Sequence, residues 1–375
     1  MASRLWPRLW IIARAAPSML LGKRKRPAFV RRILVVHHLL LGDTIMLAPL
    51  LKRLRLRYPD ADIIMLCNPA YVPLFHKRPY GVTAMPYDPR SISNHFGLAN
   101  QAAFDIAFVP GDNRWSWLAR ALKSRWVVAF ASDRRTYKDW PIDEFVSFPS
   151  VTHTWGDIAA RLCDDTSPGQ YTMGEWLQPD FAPFAEPSGA YCVLHLGASS
   201  PHKLWSSDKW SRLIDWVENQ SMQVVLTAGR GEEKLIAEVD PKAVRRHYRG
   251  TLDLAQMWQL LRGAEFLVCP DTGIAHLARI VGTPTVALFG PGSPEVSGPG
   301  EFWRASSFAC VTINDIPCRD QDLLFERKLA WVRHCWRTPQ ECGNPICIQS
   351  ITFNSVSDAL TNLGVAHLRR PENTP

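Results

Sequence analysis

Ile33-Leu34-Val35-Val36-His37-His38-Leu39-Leu40-Leu41-Gly42-Asp43-Thr44 opens with a short, uninterrupted apolar run and ends on a glycine and an acid. A run of that kind reads as a strand buried on both faces. Beyond Asp43, Leu47, Leu50, Leu51 and Leu54 recur at helical spacing, with Lys52, Arg53, Arg55 and Arg57 largely on other faces, and the pattern stops near Pro59. Ile63-Ile64-Met65-Leu66 then supplies a second buried-type strand. Strand, loop, helix and strand in succession form the unit from which parallel sheets are built, so the chain reads as α/β.

Working outward, Ile106–Val109 and Trp126–Phe130 are further strand candidates, with a helix expected over Asn113–Lys123 between them. Residues 131–190 are rich in aromatics, prolines and acids and lack a clear period, which places a domain boundary late in the stretch, near Pro179–Gly189. A second α/β pattern starts at Tyr191–Leu196 and continues with strands at Val224–Thr227, Phe266–Val268 and Thr285–Phe289 and with helices around Asp208–Asn219, Leu254–Leu261 and 274–280. At 375 residues, two domains suit the chain better than one core. The expected division is 1–27 as a basic amphipathic extension, 28–185 and 186–350 as two parallel-sheet domains facing a central cleft, and 351–375 as a possible helix and tail.

The net charge of +8 points to an anionic partner. Residues 1–32 hold nine Lys or Arg and no acid, Lys23-Arg24-Lys25-Arg26 among them, together with Trp6, Trp10, Ile11, Ile12, Met19, Leu20 and Leu21. That mixture suits peripheral contact with an anionic membrane surface, and a plain basic extension is the other reading. Arg14 and Pro17 argue against a transmembrane span, and no clean signal-peptide pattern is visible. Of the nine cysteines, Cys67, Cys163, Cys192 and Cys269 are dispersed and read as buried thiols of a reducing, cytoplasmic compartment.

The chemistry is expected where strands hand over to helices, because helix N-termini present free N–H groups that attract negative charge. Asp43 stands at one such mouth, either capping backbone N–H groups or acting as a general base for an acceptor hydroxyl, and Gly42 allows close approach to the backbone. Asp271-Thr272-Gly273 stands at another, with His276 three residues on; N–H groups, a hydroxyl and low bulk suit a diphosphate, while His276 is a ligand contact or a core histidine. Lys203, beside Ser199 and Ser200, is a solvated loop lysine or a cation for a departing diphosphate. Gly229-Arg230-Gly231 and Glu233 form a third strand-end loop, where glutamate can accept hydrogen bonds from ribose hydroxyls. Neither Gly-x-x-x-x-Gly-Lys-Ser/Thr nor Gly-x-Gly-x-x-Gly occurs at these loops, which lowers an ATPase and a nicotinamide enzyme and raises a sugar-nucleotide enzyme.

The ordered set Gly42–Leu50, His195–Ser199 with Lys203 and Trp205, Thr227-Ala228-Gly229, Gly250-Thr251-Leu252 and Asp271–Ala278 resembles the ADP-heptose:lipopolysaccharide heptosyltransferases, glycosyltransferase family 9. The likeness spans about residues 31–295. It implies two Rossmann-like domains in the GT-B architecture, with an acceptor domain first and a nucleotide-sugar domain second. It also implies Asp43 as catalytic base, Lys203 as donor-phosphate lysine and Glu233 as the ribose glutamate. Gly42, Thr44, Ser199, Thr227, Gly229, Asp271, Thr272, Gly273 and His276 accompany them around the substrates. The implied partners are ADP-L-glycero-D-manno-heptose and a lipid-anchored saccharide at the cytoplasmic face of the inner membrane, with no cofactor, no catalytic metal and no nucleic acid. Leu196 and Ser206 stand where prolines are expected.

Cys310, Cys318, Cys335, Cys342 and Cys347 cluster in sequence, as some protein-modifying members of that family resemble in carrying a cysteine-bound metal. Unliganded thiols are the other reading, since the compact Cys-x-x-Cys signature is missing. An autotransporter heptosyltransferase or another nucleotide-sugar transferase therefore stands as the alternative activity. A basic membrane-surface or nucleic-acid binding module is the non-enzymatic one, and it leaves Asp43, Lys203 and loop 271–276 without a common purpose.

Overall fold

The computed structural model describes residues 5–20 and 24–365, so Leu21, Lys23 and the tail beyond Val365 lie outside the described residues. The chain divides into two compact units, Met1–Pro179 with Leu323–Ala330, and Asp180–Asp322 with Trp331–Pro375.

Unit 1 is built on six parallel strands, β1 (Arg32–Val35), β2 (Asp62–Cys67), β3 (Val82–Pro86), β4 (Phe104–Val109), β5 (Ser124–Phe130) and β6 (Glu144–Val146), in the order β3-β2-β1-β4-β5-β6. The central β1 is sealed on both faces: Ile33, Leu34 and Val35 are fully buried, each worth about 1.5–3 kcal/mol relative to exposure. Helices α1 (Leu5–Leu20), α2 (Leu41–Ile45), α3 (Ala48–Arg57), α4 (Ile92–Ala99), α5 (Ser116–Ala121) and α6 (Trp155–Ala160) cover this sheet or bracket its loops. In α3 the leucines at helical spacing, Leu50, Leu51 and Leu54, are all buried. The helix expected over Asn113–Lys123 is a 3-10 turn, Asn113–Trp115, running into α5.

Unit 2 repeats the plan with β7 (Tyr191–His195), β8 (Gln223–Ala228), β9 (Arg246–Arg249), β10 (Leu267–Pro270), β11 (Thr285–Phe289) and β12 (Phe308–Thr312), ordered β12-β11-β10-β7-β8-β9 and parallel throughout. Counted from its own first strand, this is the strand order of unit 1. Its helices are α7 (Ser207–Glu218), α8 (Glu233–Val239), α9 (Leu254–Arg262), α10 (Gly273–Val281), α11 (Pro294–Ser297), α12 (Ile346–Gln349) and α13 (Phe353–Asn362). Asp253 opens α9 with a reciprocal capping box to Gln256, and Gly282 ends α10 at φ 88°, a left-handed turn that glycine adopts at little cost.

In both units the order reverses beside the first strand, between β1 and β4 and between β7 and β10. Loops at such a switch point diverge and leave a crevice at the carboxyl ends of the strands, where ligands bind.

Two features differ from the expected domain map. Over its described length the basic amphipathic segment is a helix packed into unit 1 and not a separate piece: α1 runs through both Arg14 and Pro17, with Trp10 against His95 and Arg14 Nε donating to the Ala121 carbonyl. The second domain also lends Leu323–Ala330 to the first, as an antiparallel hairpin of β13 (Leu323–Leu324) and β14 (Arg327–Lys328).

Candidate active site

In unit 1, β1 delivers His37 and His38 to the switch point and the chain turns into α2, where Asp43 is the third residue. Asp43 is half-buried, and its main-chain carbonyl accepts the Trp155 indole N–H at 3.4 Å. The Tyr71 phenol lies close to the Leu41 backbone and to Asp43, and burial together with that carboxylate pushes its pKa up, so it stays a proton donor. Gly42 is half-exposed in the same turn. Thr44 is buried, with its N–H donating to the Leu40 carbonyl and its hydroxyl reaching the Leu39 carbonyl at 3.5 Å; both contacts hold the turn itself. His37 is buried, with Nδ1 accepting from Leu39 N–H, and burial beside His38 lowers its pKa to about 3. It is a neutral part of the loop's frame.

In unit 2 the loops leaving β7 and β10 flank the corresponding switch point. Lys203 Nζ donates to both the Oδ2 and the main-chain oxygen of Asp271, at 2.8 Å each. Thr272 is the N-cap of α10, and its side chain makes no capping bond. Its hydroxyl is buried beside the Cys269 thiol, and Nδ1 of His276 one turn on is buried without a hydrogen-bond partner. His276 is buried and flanked by Arg279 and Lys203, so its pKa is driven well below the ordinary value and the ring is neutral. A buried hydroxyl, an unpaired ring nitrogen, a lysine and the N–H groups of a helix start thus share one polar corner. Such a corner at a helix start suits an anionic ligand.

The loop after β8 has a different organiser from the one its sequence suggests. Glu232 accepts N–H bonds from Ala198 at 3.0 Å and Gly229 at 2.7 Å, tying the ends of β7 and β8 together. A Cβ at Gly197 would fall 1.8 Å from its Oε2 and one at Gly229 2.6 Å, so both glycines are required by that carboxylate. Glu233 accepts the Gly231 N–H at 2.8 Å, which lowers its pKa. Thr227 is fully buried with its hydroxyl 3.0 Å from His195 Nδ1, a contact inside the protein, and Ser199 is exposed.

Asp43, Gly42 and Thr44 therefore sit together in unit 1, and Lys203, Asp271, Thr272, Gly273 and His276 sit together in unit 2. Glu232 and Tyr71 are the neighbours that sequence reading passed over. The signal for Glu232 was its adjacency to Glu233 after Gly229-Arg230-Gly231, whereas nothing in the sequence ties Tyr71 to Asp43.

All nine cysteines are free, and Cys67, Cys163, Cys192 and Cys269 are buried. Cys318 lies near Cys335 and Cys342, and Cys347 near Cys318 and Cys335. Among the described residues, however, no three His, Cys, Asp or Glu side chains are arranged to hold a metal ion.

Comparison with known proteins agrees with this plan. Residues 99–326, more than half of the chain, match the model of glycosyltransferase family 9 (heptosyltransferase). The chain is 31% identical over 153 residues to lipopolysaccharide heptosyltransferase 1 of Pseudomonas aeruginosa, a match covering 39% of this chain and 42% of that protein. It is 25% identical over 315 residues to lipopolysaccharide heptosyltransferase 3 of Escherichia coli, covering 75% of this chain and 89% of the relative. The fold is similar to that of the solved E. coli ADP-heptose lps heptosyltransferase II, with a TM-score of 0.63 at 19% identity over 89% of this chain and 98% of the other. By the family match, on a fold of two like-ordered parallel sheets, the chain belongs to glycosyltransferase family 9, the heptosyltransferases.

Proposed function

We propose that this protein transfers heptose from ADP-L-glycero-D-manno-heptose to the lipopolysaccharide inner core, with inversion at the anomeric carbon. The observation that carries the reading is the polar corner of unit 2, where Lys203 meets Asp271 beside the buried Thr272 hydroxyl and the unpaired His276 Nδ1. A nucleoside diphosphate supplies oxygens suited to those groups. Its negative charge grows as the glycosidic bond breaks, and a lysine beside helix N–H groups answers that charge without a bound metal. Gly229 and Glu233 stand at the ribose side of this reading, with Glu232 holding the loop.

The reaction is a single displacement. The acceptor hydroxyl oxygen attacks the anomeric carbon, Asp43 takes the hydroxyl proton, and the carbon–oxygen bond to ADP breaks with its electron pair leaving on the diphosphate. Asp43 then returns the proton to water. The acceptor is lipid-anchored, and the exposed apolar face of α1 brings the enzyme to the anionic cytoplasmic face of the inner membrane.

The test is an assay with ADP-heptose and a heptose-deficient lipopolysaccharide acceptor, comparing wild type with Asp43→Ala. Lost transfer with retained ADP-heptose binding is expected. Full transfer by the variant would sink the base assignment.

A further inference from the structure

Unit 2 breaks off at Asp322, cedes eight residues to unit 1 and resumes at Trp331. Leu324 pairs with Arg327 across a two-residue turn, Phe325-Glu326, whose residues both have positive φ, 47° and 67°. Turns of this kind are ordinarily given to Asn and Gly, and a bulky side chain in the left-handed region costs on the order of 1 kcal/mol or more. Something must hold Phe325 there.

Arg327 holds it. Its guanidinium is buried and donates to the carbonyls of Ala131 at 2.8 Å and of Phe130 and Phe325 at 2.9 Å, and to Asn113 Oδ1 at 2.9 Å. Phe130 and Ala131 end β5, and Asn113 follows β4, so the hairpin is plugged into the carboxyl end of the unit 1 sheet. Two outer contacts fix it further: Lys138 Nζ lies 2.6 Å from each Glu326 carboxylate oxygen, and Lys328 N–H donates to Asp133 at 2.7 Å.

These anchors set the Phe325 ring against Trp155, with centroids 4.4 Å apart, and beside Gly111 and Leu39. Trp155 is the residue whose indole N–H meets the Asp43 carbonyl. Trp155 is 1% exposed, whereas Phe325 is only partly buried. The strained turn therefore presents an aromatic surface one side chain away from Asp43.

We propose that Phe325 is an acceptor-binding residue, its ring receiving the C–H face of the acceptor sugar beside Asp43, with Arg327 as the positioning residue that seats it. The inference rests on the heptosyl-transfer reading and on Asp43 marking the acceptor side. A sugar ring has one face of C–H bonds, and apolar contact with an aromatic surface orients it without competing for the hydroxyl that must react.

The experiment uses the full chain, ADP-heptose and a lipid-free lipopolysaccharide core oligosaccharide as acceptor probe, with KM measured for both substrates and the thermal midpoint for each variant. Phe325→Ala is expected to raise the acceptor KM about tenfold, with donor KM and midpoint unchanged, and Phe325→Trp to restore it. Arg327→Lys is expected to raise the acceptor KM as well. An unchanged acceptor KM in Phe325→Ala overturns the proposal, and so does a rise matched in donor KM and accompanied by a lower midpoint, because that is what a purely structural hairpin gives. A wild-type enzyme inert toward both this oligosaccharide and the heptose-deficient lipopolysaccharide overturns the heptosyl-transfer reading, and this inference with it.

Discussion

Lys203 and Asp271 meet twice, since the ammonium bonds both the carboxylate and the main-chain carbonyl of the aspartate. The carboxylate is mostly buried and the lysine about a fifth exposed, so the pair is screened less than a surface bridge. Asp271 thus keeps the cation over the start of α10, where the proposed transfer would use it against a diphosphate. Lys203→Ala is expected to lower kcat by about a hundredfold or more, the usual effect of removing a group that stabilises developing negative charge. Steady-state kinetics with ADP-heptose checks this, and a loss under about threefold would take Lys203 out of the leaving-group role.

Glu232 and Glu233 are adjacent and make opposite predictions. Glu232→Ala leaves the Ala198 and Gly229 N–H groups without their carboxylate, which costs about 1–3 kcal/mol of stability and loosens two loops of the polar corner. Glu233→Ala removes one bond to the Gly231 N–H at the loop's outer edge and should leave urea unfolding nearly unchanged while weakening ADP-heptose binding. Urea midpoints and donor affinity for both variants separate them. A stability loss in Glu233→Ala larger than in Glu232→Ala would invert the assignment.

The same pair shows what the sequence could convey. A buried run, a loop and a helical period are local, so β1, α3, β7, α10 and the switch-point loops were legible from residue order alone, as was the match of those loops to a known family. β3, β6, β9 and β12 were not, because Val82–Pro86, Glu144–Val146, Arg246–Arg249 and Phe308–Thr312 are the sheet edges, where the strand is less covered and the apolar run is lost. Which of two adjacent glutamates turns inward depends in part on Gly197 and Ala198, more than thirty residues away, and the return of Leu323–Ala330 to unit 1 depends on carbonyls nearly two hundred residues away. Neither relation has a local period to announce it.

Three buried histidines make stability fall on mild acidification. Burial lowers His37 to about 3 and His195 to about 4, and drives His276 well below its ordinary 6.5. The folded pKa lies below the unfolded one in each case, so below pH 6.5 the unfolded chain takes up protons that the folded chain refuses. Each histidine then withdraws about 1.4 kcal/mol per pH unit as pH falls from 6.5 toward its folded value. Urea midpoints are expected to drop between pH 7 and 5, above the range where most carboxylates titrate. In His195→Gln the drop should be shallower. Equal midpoints at the two pH values would show that these rings are protonated in the folded state.

The last prediction concerns α1, whose two faces are both apolar. One face is used: Trp10 packs on His95 and Phe96, and Ala15 is buried. The other holds Leu5, Trp6, Leu9 and Ile12, from 46% to 68% exposed, on one helical stripe, with Phe96 of α4 also exposed. No helix among the described residues is long and apolar enough to cross a membrane. The proposed bilayer contact would use this face, with exposed Arg8 and Lys25 toward anionic headgroups. Trp6→Ser/Leu9→Ser/Ile12→Ser alters only outward-facing residues and should leave ADP-heptose binding intact. The triple variant is expected to lose co-sedimentation with phosphatidylglycerol-containing vesicles, and wild type should bind phosphatidylcholine vesicles less well than anionic ones. Equal vesicle binding by wild type and variant would remove the membrane role from α1, leaving its outer face to another partner.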